Sequence, residues 1–211
     1  MKNFALIGVL ILGLAVYAAV HFHLSRVRIL RIGSECDYPP NNWEEERDTD
    51  SNIPIVNRKG RYAEGYDIQI AKTIADSIGA KLEVYRLDWN ELIPALSEKK
   101  IDAIFSSMLD TTDRRKYIAF SNVYEDRLAE YHVVVNRGGK FSKASKITDF
   151  SGARFVGQHG TNTDSAINQI PGVEHFPPVD SQQEMMQKLK NEEVDGIILD
   201  IEVINMYQQT Y

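Results

Sequence analysis

Two charged side chains, Arg114 and Asp200, stand where the opposite ends of a small zwitterion could be held. Arg114 follows Asp110-Thr111-Thr112-Asp113, a helix-capping pattern, so it sits in the first turn of whatever helix starts there. The helix macrodipole disfavours a cation at that place unless an anion meets it, and a guanidinium takes a carboxylate bidentately. The competing reading is a surface arginine paired with Asp110 or Asp113. Asp200 ends the apolar stretch VDGIIL, where a carboxylate can accept from an ammonium; its competing reading is a cap for a helix over Ile201–Tyr207. A third polar group is the turn Gln158–Asp164, QHGTNTD, leading into a helix expected over Ser165–Gln169. Thr161 and Asn162 there would offer hydroxyl and backbone N–H groups to an anion.

The elements that must position these residues read as strands alternating with helices. Val27–Ile32 is a strand ending at Gly33, and the loop Ser34–Trp43 carries Pro39-Pro40, which excludes helix and holds Tyr38 at the strand's end. Tyr38 reads as a ligand wall and Trp43 as packing. Glu44–Tyr62 is a polar surface excursion with a turn at Arg58–Arg61 between short strands. Apolar residues at 68, 70, 71, 74, 75 and 78 predict a helix over Gly65–Ile78, closed by Gly79. Lys81–Tyr85 follows as a strand, Asn90–Ser97 as a helix with Leu92, Ile93 and Leu96 inward, and Ile101–Phe105 as a buried strand ending at Ser106-Ser107. This alternation implies a parallel sheet flanked by helices, with a ligand beyond the carboxyl ends of its strands. Gly33–Tyr38 and Ser106–Arg114 should therefore meet. Tyr124–Val135 reads as an extended crossing to a second unit, which opens with Ile147–Phe150 and a strand over Ala153–Gly157.

The second unit echoes the first. LSEKKIDAIFSS, from Leu96 to Ser107, aligns with LKNEEVDGIILD, from Leu189 to Asp200. Both read as helix end, charged turn, apolar residue, Asp, small residue and buried strand, and the register makes Ser107 and Asp200 equivalent. If the two units face each other, Arg114 and Asp200 come from opposite walls of one cleft.

Composition narrows the function. The chain has 211 residues, 43% hydrophobic and 26% charged, with net charge -6, enough for one or two globular units. It has no basic stripe of the kind nucleic acid requires. One cysteine, Cys36, excludes an internal disulfide framework, and five scattered histidines give no metal-ligand spacing. The apolar run Phe4–Val20 behind Lys2 has the length and flank of a secretory signal, with cleavage after Ala18, or of an uncleaved membrane anchor. Either way the remainder is expected outside the cytoplasmic membrane.

LRIGSECDYPP, the block from Gly60 to Met108, T-x-x-R at Thr111–Arg114, IAFSNVY and VDGIILD together resemble the extracellular solute-binding proteins of family 3, amino-acid receptors of ABC importers. The resemblance implies an α/β, two-lobe type II periplasmic-binding fold, each lobe a mainly parallel sheet flanked by helices. Residues 1–23 would be the signal or anchor, 24–133 the first lobe and 134–211 the second. It implies a free amino acid as ligand, a permease subunit as partner, the membrane as a further partner if the N-terminal segment is uncleaved, and neither catalysis nor a cofactor. Carried over, Arg114 is the α-carboxylate arginine and Asp200 the α-ammonium carboxylate. Tyr38 and Trp89 sandwich the ligand, Ser107 contacts it through its backbone, and Thr161 and Asn162 form the second lobe's carboxylate-binding turn. Leu109 stands where the family usually has Ser or Thr. Family members return to the first lobe with further elements, whereas this chain stops at Tyr211, as a fragment, a shortened reading frame or a degenerate receptor would.

Two further readings stand beside this one. The first is a membrane-anchored sensor. The second is an enzyme like the cyclohexadienyl dehydratases, whose general acid would be Glu35 or Asp37. Glu35, Asp37, Asp110 and Gln158 are also candidates for an acidic or polar rim that would favour a basic side chain.

Overall fold

The computed structural model describes residues 27–125 and 130–210, the side chains of 209 and 210 excepted, so the apolar segment Phe4–Val20 lies outside the described residues. The first unit runs β1 (Arg28–Ser34), β2 (Asp37–Tyr38), β3 (Asn42–Glu45), β4 (Ile53–Pro54), β5 (Tyr62–Glu64), α1 (Tyr66–Ser77), β6 (Ala80–Arg86), α2 (Trp89–Ser97) and β7 (Ala103–Ile104). β1 is the centre of a parallel sheet of order β6-β1-β7. Helix α1 buries Ile68, Ala71 and Ala75, and the first two pack with Ile32, Val84 and Phe105 into the first core. Gly79 closes α1 with φ +63, the left-handed value a helix C-terminus commonly takes.

Residues 37–64 hold more structure than the sequence suggests. β2, β3, β5 and β4 form a four-stranded antiparallel sheet, with the Arg58–Arg61 turn joining β4 to β5. Its strands are two to four residues long, too short for hydrophobic alternation to register. This sheet seats the loop after β1. The Tyr66 and Asp67 N–H groups, at the start of α1, donate to the carbonyls of Pro40 and Asn41 at 3.2 and 2.9 Å. Gly65 makes that approach possible, because its φ is +121 and a Cβ there would collide with the Asn41 carbonyl.

The second unit runs β8 (Tyr131–Val134), a 3-10 turn at Ile147–Phe150, β9 (Arg154–Phe155), α3 (Asn162–Ile167), β10 (Glu174–His175), α4 (Gln182–Lys190), β11 (Ile197–Asp200) and α5 (Ile201–Thr210). β9 and β10 are parallel, β8 and β11 antiparallel, and a bridge from Phe155 to Gly196 ties the pairs together. Phe155, fully buried, packs against the Gly196 backbone, where a Cβ would strike its ring.

Three local expectations change. Among its described residues the crossing Tyr124–Val135 is strand only at β8. Because β8 pairs with β11 residue for residue from Tyr131, the second sheet begins before the expected division at 133/134. The helix after the polar turn begins at Asn162 and not at Ser165, because the Thr161 hydroxyl caps it by accepting from the Asp164 N–H at 3.2 Å. The predicted five-residue strand over Ile101–Phe105 is reduced to β7, although Ile101 and Phe105 are both buried as expected.

The internal repeat is structural. Lys99 and Glu192, equivalent in the alignment, take φ +60 and +61, so both helix–strand turns use the same left-handed residue. The equivalent Asp102 and Asp195 each hold an arginine of the neighbouring strand. Asp102 accepts from the Arg31 backbone N–H (2.9 Å), Nε (3.0 Å) and Nη2 (2.7 Å). Asp195 accepts from the same three groups of Arg154 at 2.9, 3.0 and 2.8 Å. These donors, led by the arginine side chains, hold both carboxyls below the usual range.

Candidate functional site

One cavity of about 140 Å³ lies between the two units, and its walls come from the carboxyl ends of β1, β7 and β11 and from the turn before α3. Its lining includes Arg114, Asp200, Tyr38, Trp89, Ser107, Thr161 and Asn162, each of the residues singled out from the sequence. The units touch directly around it. Gln158 of the second unit donates to the Glu35 carboxyl of the first, and the Gln182 side chain donates to the Asp37 carbonyl at 3.1 Å. Asn90 and His159 meet at 3.1 Å.

Arg114 begins a 3-10 turn, Arg114–Lys116, and the Thr111 hydroxyl accepts from its N–H at 3.3 Å. The neighbouring acids are taken by other cations, Asp110 by Arg115 and Asp113 by Lys116. Among the described residues Arg114 forms no ion pair. Its Nη1 donates to the Leu109 carbonyl at 2.7 Å, its Nη2 to the Gly160 carbonyl at 3.0 Å, and its guanidinium lies over the Trp89 ring at 5.2 Å. Burial pulls its pKa down from the ordinary arginine value, the signature of a cation part-way out of water. The planar group is thus clamped by two carbonyls and an indole at the cavity wall.

Asp200 is 3% exposed at the end of β11 and does both things the sequence allowed. Its Oδ1 accepts from the Glu202 N–H at 3.0 Å at the start of α5, and its carboxylate lines the cavity. Thr161 has its hydroxyl engaged by the Gln158 carbonyl and the Asp164 N–H. The Asn162 side chain hydrogen-bonds the hydroxyl of Tyr131, whose pKa burial raises. Ser107 takes φ +49, and its hydroxyl donates to Asp67 at 3.0 Å.

Of the four candidate rim residues, Glu35 and Gln158 line the cavity. Asp110 is paired outside it, and Asp37 is buried beside it, accepting from the Gln183 N–H at 3.3 Å. Glu35 is 4% exposed. Burial, and next the charge of Asp37, push its carboxyl up to about 7, against the hydrogen bond from Gln158, which lowers it.

Residues 30–208 match the family described as bacterial extracellular solute-binding proteins, family 3. The chain belongs to that family. Its relatives include the arginine-binding extracellular protein ArtP of Bacillus subtilis, 27% identical over 81% of this chain and 60% of that protein. ABC transporter arginine-binding protein 1 of Escherichia coli is 28% identical over 93% of this chain and 73% of its own length. The chain thus spans less than two thirds of the first of these relatives. Holo ArgBP from T. maritima superposes with a TM-score of 0.72 at 27% identity, covering 86% of this chain and 73% of that one. The ancestral amino acid-binding protein AncCDT-1, a precursor of cyclohexadienyl dehydratase, gives 0.71 at 25% identity, over 86% and 74%. The fold is the α/β type II periplasmic-binding fold of this family.

Within this family member the cavity also takes in Tyr131, Gln182, Met185 and Leu199, which sequence reasoning missed. Tyr131 reaches it because β8 pairs it directly with Asp200. That register has no local signal in the sequence. Among the described residues no cluster of three or more His, Cys, Asp or Glu could hold a metal, and no described helix is long and apolar enough to cross a membrane.

Proposed function

We propose that the chain binds a free amino acid with a cationic side chain outside the cytoplasmic membrane and presents it to the permease of an ABC importer. In this reading Arg114 takes the α-carboxylate and Asp200 the α-ammonium, Tyr38 and Trp89 flank the ligand, and Ser107, Thr161 and Asn162 supply polar contacts around the carboxylate. Glu35 receives the side-chain cation. The observation that carries the reading is a cavity lined by Arg114 from the first unit, by Asp200 from the second and by a further, deeply buried carboxyl at Glu35. The arginine-binding names of the relatives support the basic side chain. The N-terminal apolar segment serves export or anchoring, and the two units, divided ahead of β8, act as lobes hinged about the segment that connects them.

A second reading is favoured by the same Glu35. A buried carboxyl poised near 7 is what a general acid needs, and AncCDT-1 is a precursor of cyclohexadienyl dehydratase. Melting the protein against a panel of free amino acids separates the two, since a ligand that binds only the folded state raises the melting point. A shift confined to arginine, lysine and their homologues supports the receptor. No shift with any amino acid, together with turnover of a prephenate-like acid that Glu35→Gln abolishes, supports the enzyme.

A further inference from the structure

Asp67 is fully buried at the start of α1, outside the cavity, and its carboxylate collects donors from three separate elements. Oδ2 accepts from the Asn42 amide at 2.8 Å and from the Ser107 hydroxyl at 3.0 Å, and the Ser107 N–H adds a further bond. Oδ1 accepts from the Tyr124 hydroxyl at 2.6 Å. Each donor has a consequence elsewhere. The Asn42 Oδ1 in turn accepts from the Cys36 N–H at 3.0 Å, fixing the loop that carries Glu35 and Tyr38. Ser107 lines the cavity in the left-handed region, a conformation that persists for a residue with a side chain only when its surroundings over-determine it. Tyr124 lies on the stretch that leads from the first unit toward β8. It is held by stacking on Phe105 (ring centroids 6.1 Å apart), by a tilted contact with Tyr66 at 6.3 Å, and by the Tyr66 hydroxyl donating to its carbonyl at 3.1 Å.

We propose that Asp67 is a positioning residue that couples Tyr124, at the root of the connection between the units, to the cavity tip at Ser107 and to the Glu35–Tyr38 loop. The ligand never touches it. Its carboxylate is an acceptor shared by the cavity tip and the connection, so movement of Tyr124 is felt at Ser107 through the same group. An apolar residue at 67 would leave these donors without their acceptor, and an Asn would present an amide donor to them. The consequence for ligand affinity rests on the amino-acid reading above; the coupling within the protein does not.

Tyr124→Phe tests it, because the change keeps the ring packing and removes only the hydroxyl. In the ligand-free protein, exchange of the Ser107 backbone amide should quicken about tenfold, while the amide of Leu189 in the second core keeps its rate. L-Arginine binding should weaken about tenfold, and Ser107→Ala added to Tyr124→Phe should cost less than the sum of the two single changes. Faster exchange with no arginine binding in the unaltered protein would sink the ligand reading and uphold the coupling. A lower melting point with unchanged Ser107 exchange and unchanged affinity would show that Tyr124 is merely structural and overturn the proposal.

Discussion

At the residue scale the chemistry turns on which charges are already spent inside the protein. Asp110 and Asp113 neutralise Arg115 and Lys116, which leaves Arg114 held by carbonyls and an indole alone among the described residues. Carbonyl acceptors fix a guanidinium without neutralising it. Glu35 is the complementary case, a carboxyl whose burial keeps it protonated well above the usual carboxylate range. Its folded pKa of about 7 exceeds the unfolded value of 4.5, so protonation favours the fold. That contribution is complete below the unfolded pKa and is lost as pH rises through the folded one. A cationic ligand needs the ionised form, so its affinity should rise with pH up to about 7, by about tenfold per unit at the steepest, and then level off. Titrations of L-arginine between pH 5 and 8 would record this, and Glu35→Gln should flatten the profile. A flat profile in the unaltered protein would remove Glu35 from the site. The neighbours of Arg114 and Asp200 in sequence mark them as candidates and both line the cavity, whereas Glu35 stands in the sequence only as one of four candidate rim residues. Tyr131, Gln182 and Met185 were not legible, because only strand register and helix rotation bring them to the cavity.

At the scale of elements, the twelve-residue repeat predicted two equivalent helix–strand turns, and their geometry agrees down to the left-handed residue and the aspartate that grips an arginine. Each of these aspartates ties the backbone of one strand to the turn before the next. Removing it should therefore cost more than removing an exposed helical pair such as Lys72–Asp76, worth at most about 0.5 kcal/mol. Asp102→Ala and Asp195→Ala should each lower the melting point by several degrees and Asp76→Ala by about 2 °C or less, measured by calorimetry. Equal small losses in all three would make the clasps ordinary surface pairs. The four-stranded sheet of residues 37–64 escaped prediction because it is assembled from fragments too short to show a period. The early start of α3 has its cause in Thr161, whose hydroxyl serves as the helix cap. That cap has a functional cost to lose. Thr161→Ala should destabilise the protein by about 1 kcal/mol and disturb Asn162 and the cavity wall behind it, visible as a lower melting point accompanied by weaker ligand binding.

At the scale of the whole molecule, the two units meet across the cavity, where Tyr38 packs on the apolar cluster around Met185 and polar contacts join the walls: Gln158 on Glu35, Gln182 on Asp37, Arg114 and Trp89 on the Gly160 carbonyl. Such an interface brings the walls together without the large apolar burial of a fixed joint, which suits lobes that part and close around a ligand. The central claim is that the two ends of an amino acid are held by Arg114 and Asp200 on facing walls. The most direct measurement is a calorimetric titration of the protein with L-arginine, with agmatine, which lacks the carboxylate, and with Nα-acetylarginine, whose ammonium is blocked. Arginine should bind, and each analogue should bind at least about tenfold more weakly, the worth of one lost charged hydrogen-bonding partner. Agmatine binding as tightly as arginine would contradict the role of Arg114, and equal binding of all three would dissolve the clamp.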